Sequence, residues 1–169
     1  MRSAIAVATA AVLAVGVVVL GFVAVGAYLD LGELRERRAA GDAALVTARA
    51  AAPDLLSYDY RTIEEDLARA GRLTTGQLTA HYRELAETLV GKAKEQRTVQ
   101  QATVAGAAVE KASTDRVEVL LFVNMGTTKE TPGTTEARQQ VIQNRVRFVM
   151  VRQDSGWRVA ELSTLLGSP

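Results

Sequence analysis

The distribution of apolar and polar residues separates an apolar N-terminal segment from a mixed remainder. Residues 3–29 carry no charged side chain, and Ser3 and Thr9 interrupt an otherwise apolar run. As a helix this segment would be roughly 40 Å long, whereas the hydrocarbon core of a bilayer is roughly 30 Å thick. Because a helix satisfies its own backbone hydrogen bonds in lipid, the pattern predicts a transmembrane anchor over residues 1–29. We expect residues 3–29 to contact the lipid bilayer.

A cleaved secretory signal is the alternative interpretation of this segment, with small residues around Gly26 as the cleavage site. The apolar core of a signal usually has about 7 to 15 residues, so the longer run here favours a retained anchor. Arg35, Arg37 and Arg38 follow the segment, which by a simple charge rule would keep the remainder in the cytoplasm. Long domains cross membranes largely regardless of charge, so we expect a single-pass plasma-membrane protein with an extracytoplasmic C-terminal domain.

The pattern after the anchor changes to apolar residues spaced three and four apart. A stripe of this kind runs from Leu31 to Leu55 and predicts a juxtamembrane stalk helix over residues 30–53. Pro53 disfavours helical geometry at the residue before it, so we expect a break or kink near Ala52.

Two further helices are predicted from their start signals. The capping-box pattern at residues 62–65 predicts a short helix over about 63–70, which Gly71 would end in a left-handed conformation. A similar start signal at residues 74–77 predicts a longer helix that ends near Gln96.

From Thr98 onward the apolar residues alternate with a period of two, which is typical of strands. Four strands are predicted, near residues 98–112, 116–125, 138–153 and 157–165. Helices first and strands afterwards predict an α+β domain over residues 54–169. Three helices, the stalk helix and the two that follow it, would pack on one side of its curved four-stranded antiparallel sheet.

The last turn, Asp154-Ser155-Gly156, predicts a three-residue hairpin that pairs Gln153 with Trp157. That pairing would give both faces of the sheet an apolar part: Trp157, Val159, Val149 and Val151 on one face, and Phe148, Met150, Ala160 and Leu162 on the other. The patch near Trp157 is then either removed by strong curling of the sheet around the helices or covered by a partner.

Composition and charge exclude several classes of function. Without Arg2, basic and acidic residues are equal in number, so the rest of the chain has no net charge with which to bind nucleic acid. The chain has no cysteine, which excludes disulfides and thiolate chemistry. At this length the domain can bury a sufficient core without them.

The sequence offers few groups that could perform catalysis. Hydrolase, phosphate-binding and metalloprotease motifs are missing, and His81 is the single histidine. His81 and Glu84 lie one turn apart on a helix, but two ligands do not make a metal site. We therefore expect no enzymatic activity, no cofactor and no bound metal.

Tyr58 and Tyr60 flank Asp59 just before a predicted helix and form the densest candidate site. Tyrosines near the membrane-facing end of a domain suit contact with lipid headgroups or a partner, and Trp157 suits the same role. The alternative is a core clasp in which both tyrosines pack inward and Asp59 caps the turn. The clasp is the interpretation that we favour.

The stretch Leu55 to Asp66, Leu-Leu-Ser-Tyr-Asp-Tyr-Arg-Thr-Ile-Glu-Glu-Asp, resembles actinobacterial Mce-associated membrane proteins, as do the two C-terminal strands and the overall layout. These are accessory proteins of mammalian-cell-entry (Mce) lipid importers. The resemblance implies a cone-like fold similar to nuclear transport factor 2 (NTF2) and to the periplasmic domain of type IV secretion scaffold proteins. It also implies a role in stabilising or assembling an importer of fatty acids or sterols, with Mce-type transporter subunits as partners. No catalytic residues follow from the resemblance.

Two other functions fit the same predicted fold. A lipid-binding or enzymatic cone would enclose a cavity lined by strand residues such as Val119, Leu121 and Phe148. A secretion-machine scaffold would instead use the domain as contact surface. The sequence fixes neither the transported lipid, nor the contacted subunit, nor the oligomeric state.

Overall fold

The computed structural model describes the backbone of residues 2–130 and 137–165, and the side chains of residues 20–21, 31–130 and 138–164. Within these residues the chain forms three helices and five strands. The helices are α1 (Arg2–Leu56), α2 (Ile63–Leu73) and α3 (Gln77–Glu95). The strands are β1 (Tyr58–Asp59), β2 (Val99–Ala112), β3 (Arg116–Glu130), β4 (Ala137–Gln153) and β5 (Gly156–Leu165). The predicted α+β class and the three helices are confirmed.

The chain divides into two units, residues 1–38 and residues 39–169. The backbone of the first unit is helical from Arg2 onward. Among the residues that the structure describes, no helix combines the length and the apolar character needed to cross a bilayer. The anchor predicted for residues 1–29 falls almost entirely on side chains outside the described residues, so the anchor and its contact with lipid stay predictions.

Helix α1 does not break where the sequence predicts. It passes through Pro53 and ends at Leu56, and the N–H of Ser57 donates to the carbonyl of Pro53 over 2.9 Å. Tertiary packing outweighs the cost of proline, because the residues on either side of it are buried. Those buried residues are Ala48, Ala51, Ala52 and Leu55, each at most 6% exposed.

Helix α2 passes through Gly71 and ends at Leu73, so the predicted stop at Gly71 is wrong. The hydroxyl and the N–H of Thr74 both donate to the Gly71 carbonyl, over 2.8 and 3.3 Å. The left-handed conformation occurs instead at Gly76 (φ +63°), directly before α3. Helix α3 ends at Glu95, as predicted to within one residue.

The five strands form one antiparallel sheet in the order β1-β2-β3-β4-β5. The predicted count of four strands is wrong because β1 pairs with β2 through Tyr58 opposite Gln100 and Asp59 opposite Val99. Two residues are too few to show the alternation by which strands are recognised in a sequence. Register shifts in β2 and β5 mark bulges, which bend a sheet and increase its twist.

The core lies on the sheet face that the helices cover. Alternate residues of β3 and β4 point into it and are at most 1% exposed: Val117, Val119, Leu121, Val123, Val146, Phe148 and Met150. An alanine stripe of α1 joins the same core: Ala40, Ala44, Ala48 and Ala52. Small side chains let the helix approach the sheet closely, and a Cβ at Gly41 would lie 3.5 Å from the Cβ of Ala112.

The last hairpin has a different register from the predicted one. Gln153 pairs with Gly156 rather than with Trp157, and Gly156 adopts φ +110°. The same register pairs Met150 with Val159, and a bulge at Ala160 on β5 then pairs Val149 with Glu161. The predicted faces are therefore wrong for Trp157 and Val159, since Val159 is fully buried in the core beside Met150. Phe148 and Leu162 are paired and share a face, as predicted.

Ion pairs between strands cover the opposite face of the sheet. Arg147 on β4 reaches Glu110 on β2 across the intervening strand, with Nε 2.6 Å from Oε2. Arg116 on β3 likewise reaches Glu161 on β5 over 2.8 Å. Long side chains that cross a strand shield the apolar residues beneath them, and Val149 on the crossed strand is only 6% exposed. This face therefore differs from the apolar patch that the sequence predicts.

The buried aromatic ring of Phe148 provides a test of this core. Phe148→Ala should lower the free energy of unfolding by about 3–5 kcal/mol, because the vacated volume cannot be refilled by the surrounding strands. Val141→Ala is the matched control on the same strand, since Val141 is 71% exposed and should change stability by less than about 0.5 kcal/mol. Chemical denaturation in detergent, followed by circular dichroism, measures both. Equal effects of the two substitutions would contradict the assigned faces.

Candidate functional site

The turn between α1 and α2 is organised around Asp66. Its carboxylate is 7% exposed and accepts hydrogen bonds from the backbone N–H of Asp59 (3.0 Å), the hydroxyl of Thr62 (3.0 Å) and the guanidinium of Arg69 (2.6 Å). Burial alone would raise the pKa of Asp66, but these three donors together lower it. The capping-box prediction is wrong in detail, since Thr62 bonds Asp66 and its side chain makes no cap hydrogen bond.

Asp59 caps the same turn with its own carboxylate. Its Oδ1 accepts from the backbone N–H and the Nε of Arg61, both over 2.9 Å. The hydrogen bond from the Arg61 side chain is the largest cause that lowers the pKa of Asp59 to about 2. The N–H of Tyr60 donates to the carbonyl of Thr98 over 3.0 Å, which ties the turn to the start of β2.

The tyrosines of the turn pack against the core. Tyr58 and Tyr60 are partly buried there, and burial raises the pKa of Tyr58. The Arg61 guanidinium lies 5.6 Å from the centre of the Tyr60 ring. The structure thus has the geometry of the core clasp. Contact of these residues with a partner or with headgroups stays a prediction.

Trp157 does not belong to the same site. It lies at the start of β5, whereas Tyr58 lies on β1, at the other end of the strand order. Its ring packs partly against the core, and the Arg152 guanidinium lies 5.2 Å from the ring centre. The three aromatic residues predicted as contacts are therefore not brought together.

A groove of about 470 Å³ runs between α2 and α3. Its lining residues come from one face of each helix: Glu64, Leu67, Ala68, Gly71 and Arg72 from α2, and Thr79, Tyr82, Arg83 and Ala86 from α3. The apolar pattern of the sequence does not reveal this groove, because helix faces are recognised in a sequence by their large apolar residues. The signal that could have revealed it is the row of small residues, Ala68 and Gly71, on the amphipathic α2.

A second cavity of about 280 Å³ lies where the end of α1 meets α3. Leucines form half of its lining residues, and Tyr58, His81 and Gln100 are among its polar residues. Tyr82 donates from its hydroxyl to the Leu55 carbonyl over 2.7 Å, and burial raises its pKa to about 12. Neither cavity is lined by the strand residues predicted for a lipid-binding or enzymatic cone, which lie inside the packed core instead: Val119, Leu121 and Phe148.

In the described part of the chain, no group of three histidine, cysteine, aspartate or glutamate side chains is arranged to hold a metal ion. His81 is exposed at the rim of the second cavity.

Comparison with known proteins identifies sequence relatives in mycobacteria. A family model described as "Uncharacterized protein Rv1363c/MT1408-like" matches residues 3–162. The uncharacterized protein Rv1362c of Mycobacterium tuberculosis is 28% identical over 142 residues, which cover 80% of this chain and 62% of that protein. The outer membrane protein Rv1973 of the same organism is 38% identical over 90 residues, covering 52% of this chain and 56% of that protein. The chain thus spans about six-tenths of the length of these relatives.

Solved structures show the same fold at low sequence identity. An IcmL-like type IV secretion system protein of Legionella pneumophila superposes with a TM-score of 0.57 at 13% identity, covering 74% of this chain and 91% of that one. CagV, a VirB8 homologue of Helicobacter pylori, superposes with a TM-score of 0.54 at 10% identity, covering 70% and 96%. An Ntf2-like protein involved in plasmid conjugation gives 0.50 at 14% identity, covering 75% and 49%. The predicted NTF2-like fold is confirmed.

Asp66 gives a test of the clasp. Asp66→Ala should lower the free energy of unfolding by about 1–3 kcal/mol, because it leaves the Asp59 N–H and the Thr62 hydroxyl without their acceptor. Glu65→Ala is the control, since Glu65 is the exposed neighbour on the same helix turn. Thermal or chemical denaturation measures the difference. A loss no larger than that of the control would show that the clasp does not hold the turn.

The lowered pKa of Asp59 predicts a dependence of stability on pH. A carboxylate whose pKa falls from 3.8 to about 2 on folding stabilises the fold above about pH 4, and this stabilisation is lost as the pH falls towards 2. The melting temperature should therefore fall less between pH 4 and pH 2 in Asp59→Asn than in the unchanged protein. Parallel curves for the two proteins would contradict the assignment.

Proposed function

This chain belongs to the Rv1363c/MT1408-like family, and we propose that it is a non-enzymatic subunit of an assembly in the cell envelope. In this proposal the N-terminal segment tethers the chain to the plasma membrane. The α+β domain lies on the extracytoplasmic side and acts through its surface. The complex is an Mce-type lipid importer, which the protein stabilises or helps to assemble.

The packed interior of the sheet is the observation that carries the proposal. Domains that bind or transform a small molecule need a pocket with a few polar groups at its base. In this fold such a pocket would lie between the sheet and the helices. Leu121, Phe148 and Met150 fill that space and have no exposed surface. Helix α1 adds its alanine stripe to the same core. A domain in which the core between the central strands and the helices is packed in this way is suited to act through contacts at its surface.

Similarity to other envelope proteins supports the proposed setting. The names of the structural neighbours concern type IV secretion and plasmid conjugation, and one sequence relative is named an outer membrane protein. The importer is proposed on the resemblance of residues 55–66 to Mce-associated proteins. A secretion-type machine is the second candidate, and the fold of the neighbours favours it.

Co-purification from native membranes tests this proposal. The full chain, carrying an affinity tag, is extracted in mild detergent, and the proteins that accompany it are identified and quantified. Importer subunits should be recovered in a fixed ratio to the tagged chain. The matched control fuses residues 1–38 to an unrelated globular domain, and it should recover none of them if the α+β domain makes the contacts.

Three results would contradict the proposal at different levels. Recovery of secretion-machine components alone would replace the importer by the second candidate. Recovery of the same subunits by the control would show that the α+β domain is not needed for the contacts. A chain that carries stoichiometric lipid and no protein would indicate a lipid-binding domain instead.

A further inference from the structure

The groove between α2 and α3 has an apolar floor bordered by charge. Leu67 and Tyr82, each 7% exposed, form its buried base. Arg72 on α2 and Arg83 on α3 lie on its two walls, and both are exposed. Within the described residues neither guanidinium takes part in an ion pair, whereas Glu64, also on the wall, is paired with Lys94. The groove is therefore apolar at its base and positively charged at its edges.

Small residues keep this groove open. A Cβ added at Gly71 would meet no other atom within 4 Å, so the space above it is empty. Gly71 has ordinary helical geometry, because the glycines with positive φ among the described residues are Gly76 and Gly156. Glycine inside a helix weakens it relative to other residues. Neither the backbone conformation nor the stability of the helix requires glycine at position 71. Its effect is to leave the groove open at this point.

We propose that this groove binds an acidic amphipathic helix of a protein partner. This inference rests on the proposed function, because it names the surface and the partner chemistry through which the subunit would act. Two neighbouring helices present a groove into which the side chains of a third helix can pack. Apolar residues of the partner at spacings of three and four would cover Leu67 and Tyr82.

Charge complementarity decides the kind of partner. Arginine pairs with carboxylates through two parallel hydrogen bonds, so acidic residues beside the apolar stripe of the partner would meet Arg72 and Arg83. A single-chain lipid has one anionic head, whereas the two guanidinium groups lie on different walls. A helix with acidic residues on both sides of its apolar stripe matches both walls at once.

Site-specific photocrosslinking in native membranes tests the inference. A small diazirine side chain replaces the exposed groove residue Ala68 in the full chain, and Glu87, exposed on α3 outside the groove, is the control position. The crosslinked peptide is sequenced by mass spectrometry. We expect position 68, and not position 87, to capture a segment with apolar residues at helical spacing and with flanking aspartate or glutamate.

Substitutions of glycine provide a matched pair for this experiment. Gly71→Leu should fill the groove and lower the crosslinking yield at least tenfold, while keeping or raising the melting temperature because leucine is the better helix former. Gly91→Leu is the control, since Gly91, in α3, also has open space around it but lies outside the groove. It should leave the yield unchanged.

The charge requirement is tested in the same way. Arg72→Gln combined with Arg83→Gln should lower the yield at least fivefold and make it less sensitive to salt. Arg49→Gln on α1, where Arg49 is exposed, is the matched control and should have no effect. An unchanged yield in the double variant would overturn the proposed pairing with acidic residues.

The remaining outcomes separate this inference from the proposed function. Capture of lipid, or of a segment without acidic residues, at position 68 would overturn the inference. The inference is also overturned if position 68 captures nothing while importer or secretion subunits still co-purify with the chain. In that case the proposed function is retained. If no subunit co-purifies and nothing is captured, both fail.

Discussion

The complete burial of apolar residues at every second position of β3 and β4 is the constraint on which the rest of the structure depends. A slip of one residue between these strands would turn a whole row of side chains from the core to the solvent. Val119 opposite Phe148 illustrates the pairing, and neither residue has exposed surface. One face of the sheet must therefore be covered by helices, and the other face carries charged residues that pair across the strands. The surface ion pairs add little stability by themselves, and their importance lies in what they cover.

Much of this fold could be predicted from the sequence, because periodicity is a strong signal where it is regular. The four long strands and the end of α3 lie within a few residues of their predicted positions, apart from the C-terminal extension of β3 to Glu130. The register of the last hairpin could not be predicted, since the pairing of Gln153 depends on one residue of turn geometry. A bulge at Ala160 then changes the register again further along β5. The end of α2 was wrongly predicted at Gly71 for a related reason. A glycine is only a local signal, and here tertiary packing stabilises the helix around it.

The candidate surfaces were predicted only in part. The turn at residues 58–66 was recognised, and the capping role of Asp59 agrees with the favoured interpretation. The role of Asp66 could not be predicted, because sequence spacing does not show that its carboxylate reaches back seven residues to the Asp59 N–H. The groove between α2 and α3 has no stripe of large apolar residues to mark it, since small and charged residues make up much of its lining. The sequence does not show that Arg72 and Arg83 border the same groove, because this depends on α2 and α3 packing side by side.

The central claim of this account is that a filled interior leaves the surface of the helices to carry the function. Hydrogen–deuterium exchange measures this directly when the chain is compared alone and within the complex recovered from native membranes. We predict slow exchange of strands β3 and β4 in both states and added protection on assembly confined to α2 and α3. Fast exchange of the core strands in the isolated chain, slowed when membrane lipid is added, would show a ligand-dependent interior and contradict the account.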